Sequence, residues 1–201
     1  TLICMSTINR DNLDRMAREC KARRVHFIDC PFTGGPARIA NGTLTLIAAA
    51  PEPVLSPCRG VLEVIGKIVY AGETPGMGQA IKHCNQLLVT AIHAATIELM
   101  VLAQKTGVDP KLVCEVVGSG IGGNDYFRLL SKAILETTTS PGGMGQLWKD
   151  INIVITSSRQ HNLPLLVSSA VSQYFNMAVA QGMADSDSSR MMEVMLKMIG
   201  K

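Results

Sequence analysis

A single change of pattern near Gly76 most constrains what this chain can fold into. From about residue 78 to residue 106, apolar side chains stand at Ile81, Cys84, Leu88, Ile92, Ala95, Leu99 and Leu102. That three-and-four spacing predicts one helix of about 29 residues, roughly 43 Å long. Before it, β-like runs at Leu2 to Met5, His26 to Asp29, Leu44 to Ala49 and Ile68 to Tyr70 alternate with helical patterns over about Arg10 to Ala22 and Val54 to Ile65. Such alternation predicts an α/β layer with a largely parallel sheet. After the long helix only helical patterns follow, at about 110–117, 124–136, 144–161, 164–181 and 187–199. Gly107 ends the long helix, and Asp109-Pro110 supplies an N-cap and a first-turn proline for its successor. The expected architecture is α/β over 1–77 followed by all-α over 78–201. Met191, Met192, Met195 and Met198 on the last helix read as core or subunit interface.

Composition removes several classes of function. A net charge of +3 with 17% charged residues gives no field for gripping a nucleic-acid backbone. No segment is expected to span a bilayer, because Lys82, His83, Asn85 and Gln86 interrupt the most apolar stretch. The six cysteines form no Cys-x-x-Cys pair and no metal-ligand spacing, so no metal site is expected, and they read as free thiols of a reducing, cytoplasmic compartment. The chain opens on Thr1-Leu-Ile-Cys-Met-Ser in mid-strand and reads as cut, removal of an initiator Met being the other explanation.

Four local patterns carry chemical possibilities. Gly118-Ser-Gly120-Ile-Gly-Gly123 has the letters of a dinucleotide fingerprint but follows a helix instead of a strand, so it reads as a helix end and loop. Gly76-Met-Gly78 does lie between a strand and a helix, and reads as a domain junction or as a phosphate turn. At Asp29-Cys-Pro-Phe-Thr33-Gly34-Gly35, followed by Asn41-Gly42-Thr43-Leu44, a strand runs into consecutive glycines. Their N–H groups and the Thr33 hydroxyl make either a nest for a carboxylate or an ordinary tight turn. Within the long helix Lys82, Asn85 and Gln86 share one face. On a helix apolar nearly all round, and therefore expected to be buried, the lysine either snorkels or is desolvated into a usable acid/base. His93 reads as a satisfied core histidine, and Lys149-Asp150 as a charge pair on a solvated face.

Taken in order, Ser6-Thr7-Ile8, Thr33-Gly34-Gly35 with Gly42-Thr43-Leu44, Gly78-x-x-x-Lys82-x-x-Asn85-Gln86, and Lys149-Asp150 resemble the β-hydroxyacid dehydrogenase family. This family includes the 3-hydroxyisobutyrate dehydrogenases and, more distantly, 6-phosphogluconate dehydrogenase. The resemblance covers essentially the whole chain. It implies the C-terminal half of a Rossmann-type domain, a long interdomain helix and an all-helical domain that supports homo-oligomers. It implies NAD or NADP as cofactor and a small hydroxycarboxylate as substrate, with no nucleic-acid or membrane partner. By that resemblance Lys82 is the general acid/base, Thr33, Gly34 and Gly35 hold the substrate carboxylate, Asn85 and Gln86 face its reacting end, and Thr7 and Lys149 contact the cofactor. The family usually has Ser where Thr33 stands, and a second Asn where Gln86 stands. Gln there is similar to the L-threonate branch and suggests a polyhydroxylated acid. The glycine-rich phosphate loop of the family's first Rossmann half is not among these residues, which leaves a non-catalytic oligomerisation scaffold as the alternative.

Overall fold

The computed structural model describes residues 1–200. It divides into two compact units, one formed by residues 1–86 with 156–163, the other by residues 87–155 with those from 164 onward. The first unit is a five-stranded sheet with helices. Strand β1 (Leu2–Cys4) leads through helix α1 (Arg10–Ala22) to β2 (Phe27–Asp29), which pairs with β1 in parallel. Asn9 caps α1, its side chain accepting from the Asn12 N–H at 2.9 Å. β3 (Phe32–Thr33), the short helix α2 (Gly35–Ala40) and β4 (Leu44–Ala49) follow. Helices α3 (Glu52–Leu55) and α4 (Arg59–Glu63) then lead to β5 (Gly66–Gly72), parallel to β4.

The sheet is mixed, not largely parallel, because β4 runs antiparallel to both β2 and β3. Too little chain separates β2 from β4 for a parallel crossover, which needs a dozen or more residues and usually a full helix. β3 itself carried no strand pattern, being two residues between Pro31 and Gly34. The helix expected over 54–65 is broken by a 3₁₀ turn at Ser56–Cys58, where Pro57 supplies no N–H. Side chains alternate across the sheet. Phe27 joins Cys4, Leu13 and Cys20 beneath α1. Ile28, its neighbour, packs on the other face with Leu44, Leu46, Ala48, Leu55 and Leu62.

Helix α5 (Met77–Thr106) belongs to both units. The second unit continues with α6 (Pro110–Ser119), α7 (Asp125–Glu136), α8 (Met144–Gln160), α9 (Leu166–Ala180) and α10 (Met191–Met198). Gly118–Gly123 is the end of α6 and the link to α7, as its context indicated. The second core joins Ala94 and Ile97 of α5 to Leu147, Ile151, Val171, Phe175, Met191 and Val194. Met192 and Met195 pack against it, whereas Met198 is exposed.

Two expectations about α5 are overturned. By length and composition it is apolar enough to cross a membrane, and half of its most apolar window is buried within the chain. The apolar stripe that announced the helix is also not its buried face. Ile81, Leu88 and Leu102 are 46–64% exposed, while Gln79, Lys82, His83, Gln86, Thr90, His93 and Thr96 are all under 9%. A buried polar seam runs along the helix, and its groups are hydrogen-bonded, as burial demands. The threonines bond back to their own helix, Thr90 to the Leu87 carbonyl at 3.2 Å and Thr96 to that of Ile92 at 2.7 Å.

Candidate active site

The start of α5 organises the first unit. Asp29, fully buried at the end of β2, accepts through Oδ2 from the N–H groups of Gly76 at 2.8 Å and Gln79 at 3.1 Å. It therefore caps a helix that begins 47 residues later in sequence, where the helix dipole favours negative charge. Burial pushes its carboxyl above the ordinary range, against the opposing hydrogen bonds from Gly76, Gln79 and Gly78. This cap answers the question left at Gly76-Met-Gly78. A Cβ on Gly78 would lie 2.7 Å from the Ile47 carbonyl oxygen and 3.0 Å from Asp29 Oδ2. The glycines let the helix start seat against β4 and its own carboxylate, so the turn serves packing, not phosphate.

Gln79 works from the same place. Its Oε1 accepts from the Ile8 N–H at 3.1 Å, and its Nε2 donates to the Ser6 carbonyl at 3.0 Å and to Asp29 Oδ1 at 3.1 Å. One turn on, His83 Nε2 donates to the Ile8 carbonyl at 3.0 Å. The segment after β1 is thus held on both sides of Thr7, which is itself half-buried. Sequence reading missed Asp29, Gln79 and His83. The signal available was position, since 79, 83 and 86 share the helix face of Lys82.

Lys82 is 8% exposed. Its Nζ donates to Gln86 Oε1 at 2.8 Å, and Asn85 Nδ2 donates to the same oxygen at 2.9 Å. Lysine and both amides therefore form one hydrogen-bonded group, and the ammonium is buried, not snorkelling. Thr33 closes β3 opposite Thr45, and Gly34 and Gly35, with φ of +145° and +74°, turn the chain into α2. That left-handed backbone is what requires glycine here.

Lys149 lies in the second unit. Its Nζ is 3.0 Å from Asp150 Oδ1, with the lysine side chain 47% exposed and the aspartate 1%. The pair is not a solvated face, because its carboxylate is buried. His93 is fully buried, with Nδ1 3.1 Å from the Tyr126 hydroxyl and Nε2 3.2 Å from the Ser188 carbonyl. It is the satisfied core histidine its setting suggested. Among the described residues no group of three or more His, Cys, Asp or Glu is placed to hold a metal ion, and the six cysteines are free thiols.

In an open α/β sheet, ligands bind beyond the carboxyl ends of the parallel strands, where the segment after β1 carries Thr7. A neutral hydroxyl on a backbone fixed at both sides suits the nicotinamide end of a dinucleotide. The pyrophosphate end finds no such fit in the described residues, since the one strand-to-helix glycine turn is already filled by Asp29. The fold and this lysine-centred group define a Rossmann-type α/β unit joined by one long helix to a helical unit, the architecture of a class of nicotinamide-dependent oxidoreductases.

Comparison with known proteins gives the family. Residues 76–195 match the model described as NAD-binding of NADP-dependent 3-hydroxyisobutyrate dehydrogenase, and residues 1–72 match the NAD binding domain of 6-phosphogluconate dehydrogenase. The chain belongs to this 3-hydroxyisobutyrate dehydrogenase family of NAD(P)-dependent oxidoreductases. It is 28% identical to 2-(hydroxymethyl)glutarate dehydrogenase of Eubacterium barkeri over 99% of its length and 67% of that protein's. It is 29% identical to L-threonate dehydrogenase of Cupriavidus necator over 96% of its length and 66% of that protein's. The crystal structure of a 3-hydroxyisobutyrate dehydrogenase from Salmonella typhimurium superimposes with a TM-score of 0.89 at 24% identity, covering 96% of this chain and 68% of that one. The chain thus spans about two thirds of the relatives it matches.

Proposed function

We propose that this chain carries the catalytic lysine of an NAD(P)-dependent dehydrogenase acting on the hydroxyl of a small hydroxycarboxylate. The observation that carries this reading is the buried Lys82, bonded to Gln86 and set two residues from the helix face that fixes the Thr7 segment. When bound, the nicotinamide supplies the hydride acceptor for oxidation or the donor for reduction. Lys82 takes the proton of the substrate hydroxyl in oxidation and returns it in reduction. Gln86 Oε1 orients Nζ, and Asn85 holds that amide in place from the other side. Burial keeps bulk water from competing for the proton. Thr33, Gly34 and Gly35 receive the carboxylate, while Thr7 and Lys149 meet the cofactor, either NAD or NADP. The working division is a nucleotide-binding part over 1–77 and a helical part over 78–201.

Within this class the substrate is a sugar acid of the threonate kind, a reading supported by Gln86 and by the similarity to L-threonate dehydrogenase. The helical unit also assembles into homo-oligomers. Its exposed Leu112, Val116, Leu166 and Val167 support this, each more than half accessible. Free thiols throughout support a cytoplasmic setting. The decisive experiment is Lys82→Ala in the full-length protein. Turnover should fall by about 10²–10⁴-fold while cofactor affinity is kept. Retention of most of the activity removes Lys82 from the role.

A further inference from the structure

We infer that Gln79 is a positioning residue that sets the cofactor-facing segment Ser6–Ile8 in register with Lys82. The inference rests on the reading that Thr7 meets the cofactor, and it adds what fixes Thr7 there. A segment that leaves a strand end and makes no ladder bonds has soft backbone dihedrals, and holding it costs conformational entropy. Gln79 restrains both peptide units around Thr7, taking the Ile8 N–H on its oxygen and giving its nitrogen to the Ser6 carbonyl. The third bond, from Nε2 to Asp29 Oδ1, fixes the orientation of the amide. Only an amide meets this demand, which is one acceptor on one side and two donors on the other. Asp29 in turn caps α5 through Gly76 and the Gln79 backbone, so segment, cap and helix form one closed hydrogen-bonded ring. Lys82 stands three residues along the same helix, between Gln79 and His83, and both of those side chains hold Ile8. The separation between Thr7 and the lysine is therefore set by one rigid turn of α5, with no loop in the path.

The test uses the full-length protein with Gln79→Leu and Gln79→Glu. The second keeps the shape and the acceptor for Ile8 but removes both donors and sets a carboxylate against Asp29. Three quantities are read: hydrogen exchange of the Ile8 amide, the Kd for NADH and NADPH by nicotinamide fluorescence, and KM for a short hydroxyacid such as L-threonate. Loss of two or three bonds should speed exchange at Ile8 and weaken cofactor binding by about tenfold or more, with substrate KM within about threefold. Should Gln79→Leu fail to fold, Gln79→Glu carries the test. Faster exchange with unchanged cofactor Kd would overturn the positioning role and leave Gln79 a folding residue. Unchanged exchange would overturn the restraint itself. A parallel Thr7→Val variant separates the two levels. If it leaves cofactor Kd unchanged while the Gln79 variants raise it, Thr7 loses its assignment and the positioning by Gln79 stands.

Discussion

Acid should unfold the helical unit through one side chain. His93 is fully buried, with both ring nitrogens engaged and the Phe175 ring 5.5 Å away. Burial pushes its pKa down from 6.5 to about 4, against smaller opposing contributions from the Ser188 carbonyl and Asp187. The sign follows from which state takes the proton first. The unfolded chain protonates His93 near pH 6.5 while the folded one stays neutral, so stability is complete above that pH and falls toward about 4. Below about pH 4 this contribution is lost. A depression of that size corresponds to about 3 kcal/mol, or roughly a hundredfold in the folding equilibrium. Trp148 is the chain's single tryptophan and packs against this unit's core, so its fluorescence in urea reports the transition. His93→Gln supplies the non-titrating comparison. Asp187 also titrates in acid, its carboxyl held down, against burial, by hydrogen bonds from Ser189 and Ser140, but it does so in both proteins and cancels in the difference. Tyr126 is pushed up by burial and titrates far above the range. Wild type minus variant should therefore shrink by about 3 kcal/mol from pH 7 to pH 4. Parallel curves across that window would refute a neutral, buried His93.

Two further outcomes are expected. Asp29→Asn leaves one acceptor oxygen for three N–H donors, so it should cost the first unit about 1–3 kcal/mol and speed amide exchange at Gly76 and Gln79; unchanged exchange would contradict the cap. Gln86→Asn shortens the amide that both Lys82 and Asn85 address. Assayed on L-threonate and an unbranched short hydroxyacid, it should lower kcat/KM for threonate selectively by about 1–3 kcal/mol of discrimination; an unchanged preference would sink the sugar-acid reading.

Much of the fold was legible because its elements carry their own punctuation. Asn9 before α1, Asp109-Pro110 before α6 and Gly107 after α5 mark boundaries by hydrogen-bonding chemistry that acts locally. β3 was not legible, since two residues have no periodicity, and with it went the antiparallel part of the sheet. The site was half legible. Lys82, Asn85 and Gln86 stand on one helical face whatever the tertiary context, so their meeting could be read from spacing. Asp29 and Gln79 could not, because the cap joins positions 47 residues apart. The choice of buried face on α5 failed for a related reason. Periodicity locates a stripe, but tertiary partners decide which stripe is covered, and here hydrogen bonds to Asp29, Ile8, Tyr126 and Ser188 won the polar one.

The polar seam of α5 also makes that helix a fixed gauge in evolution. Gln79, Gln86 and His93 recur every seven residues, so they stay aligned only while the count between them is kept. A single residue inserted after Gln86 would turn everything beyond it by about 100°, carrying His93 away from Tyr126 and Ser188 or Lys82 away from its seat. The link between α6 and α7 has no such arithmetic, as Ile121 there is wholly exposed. Length variation in homologous chains should therefore collect at 120–124 and be absent from 79–96, whatever residues those positions hold.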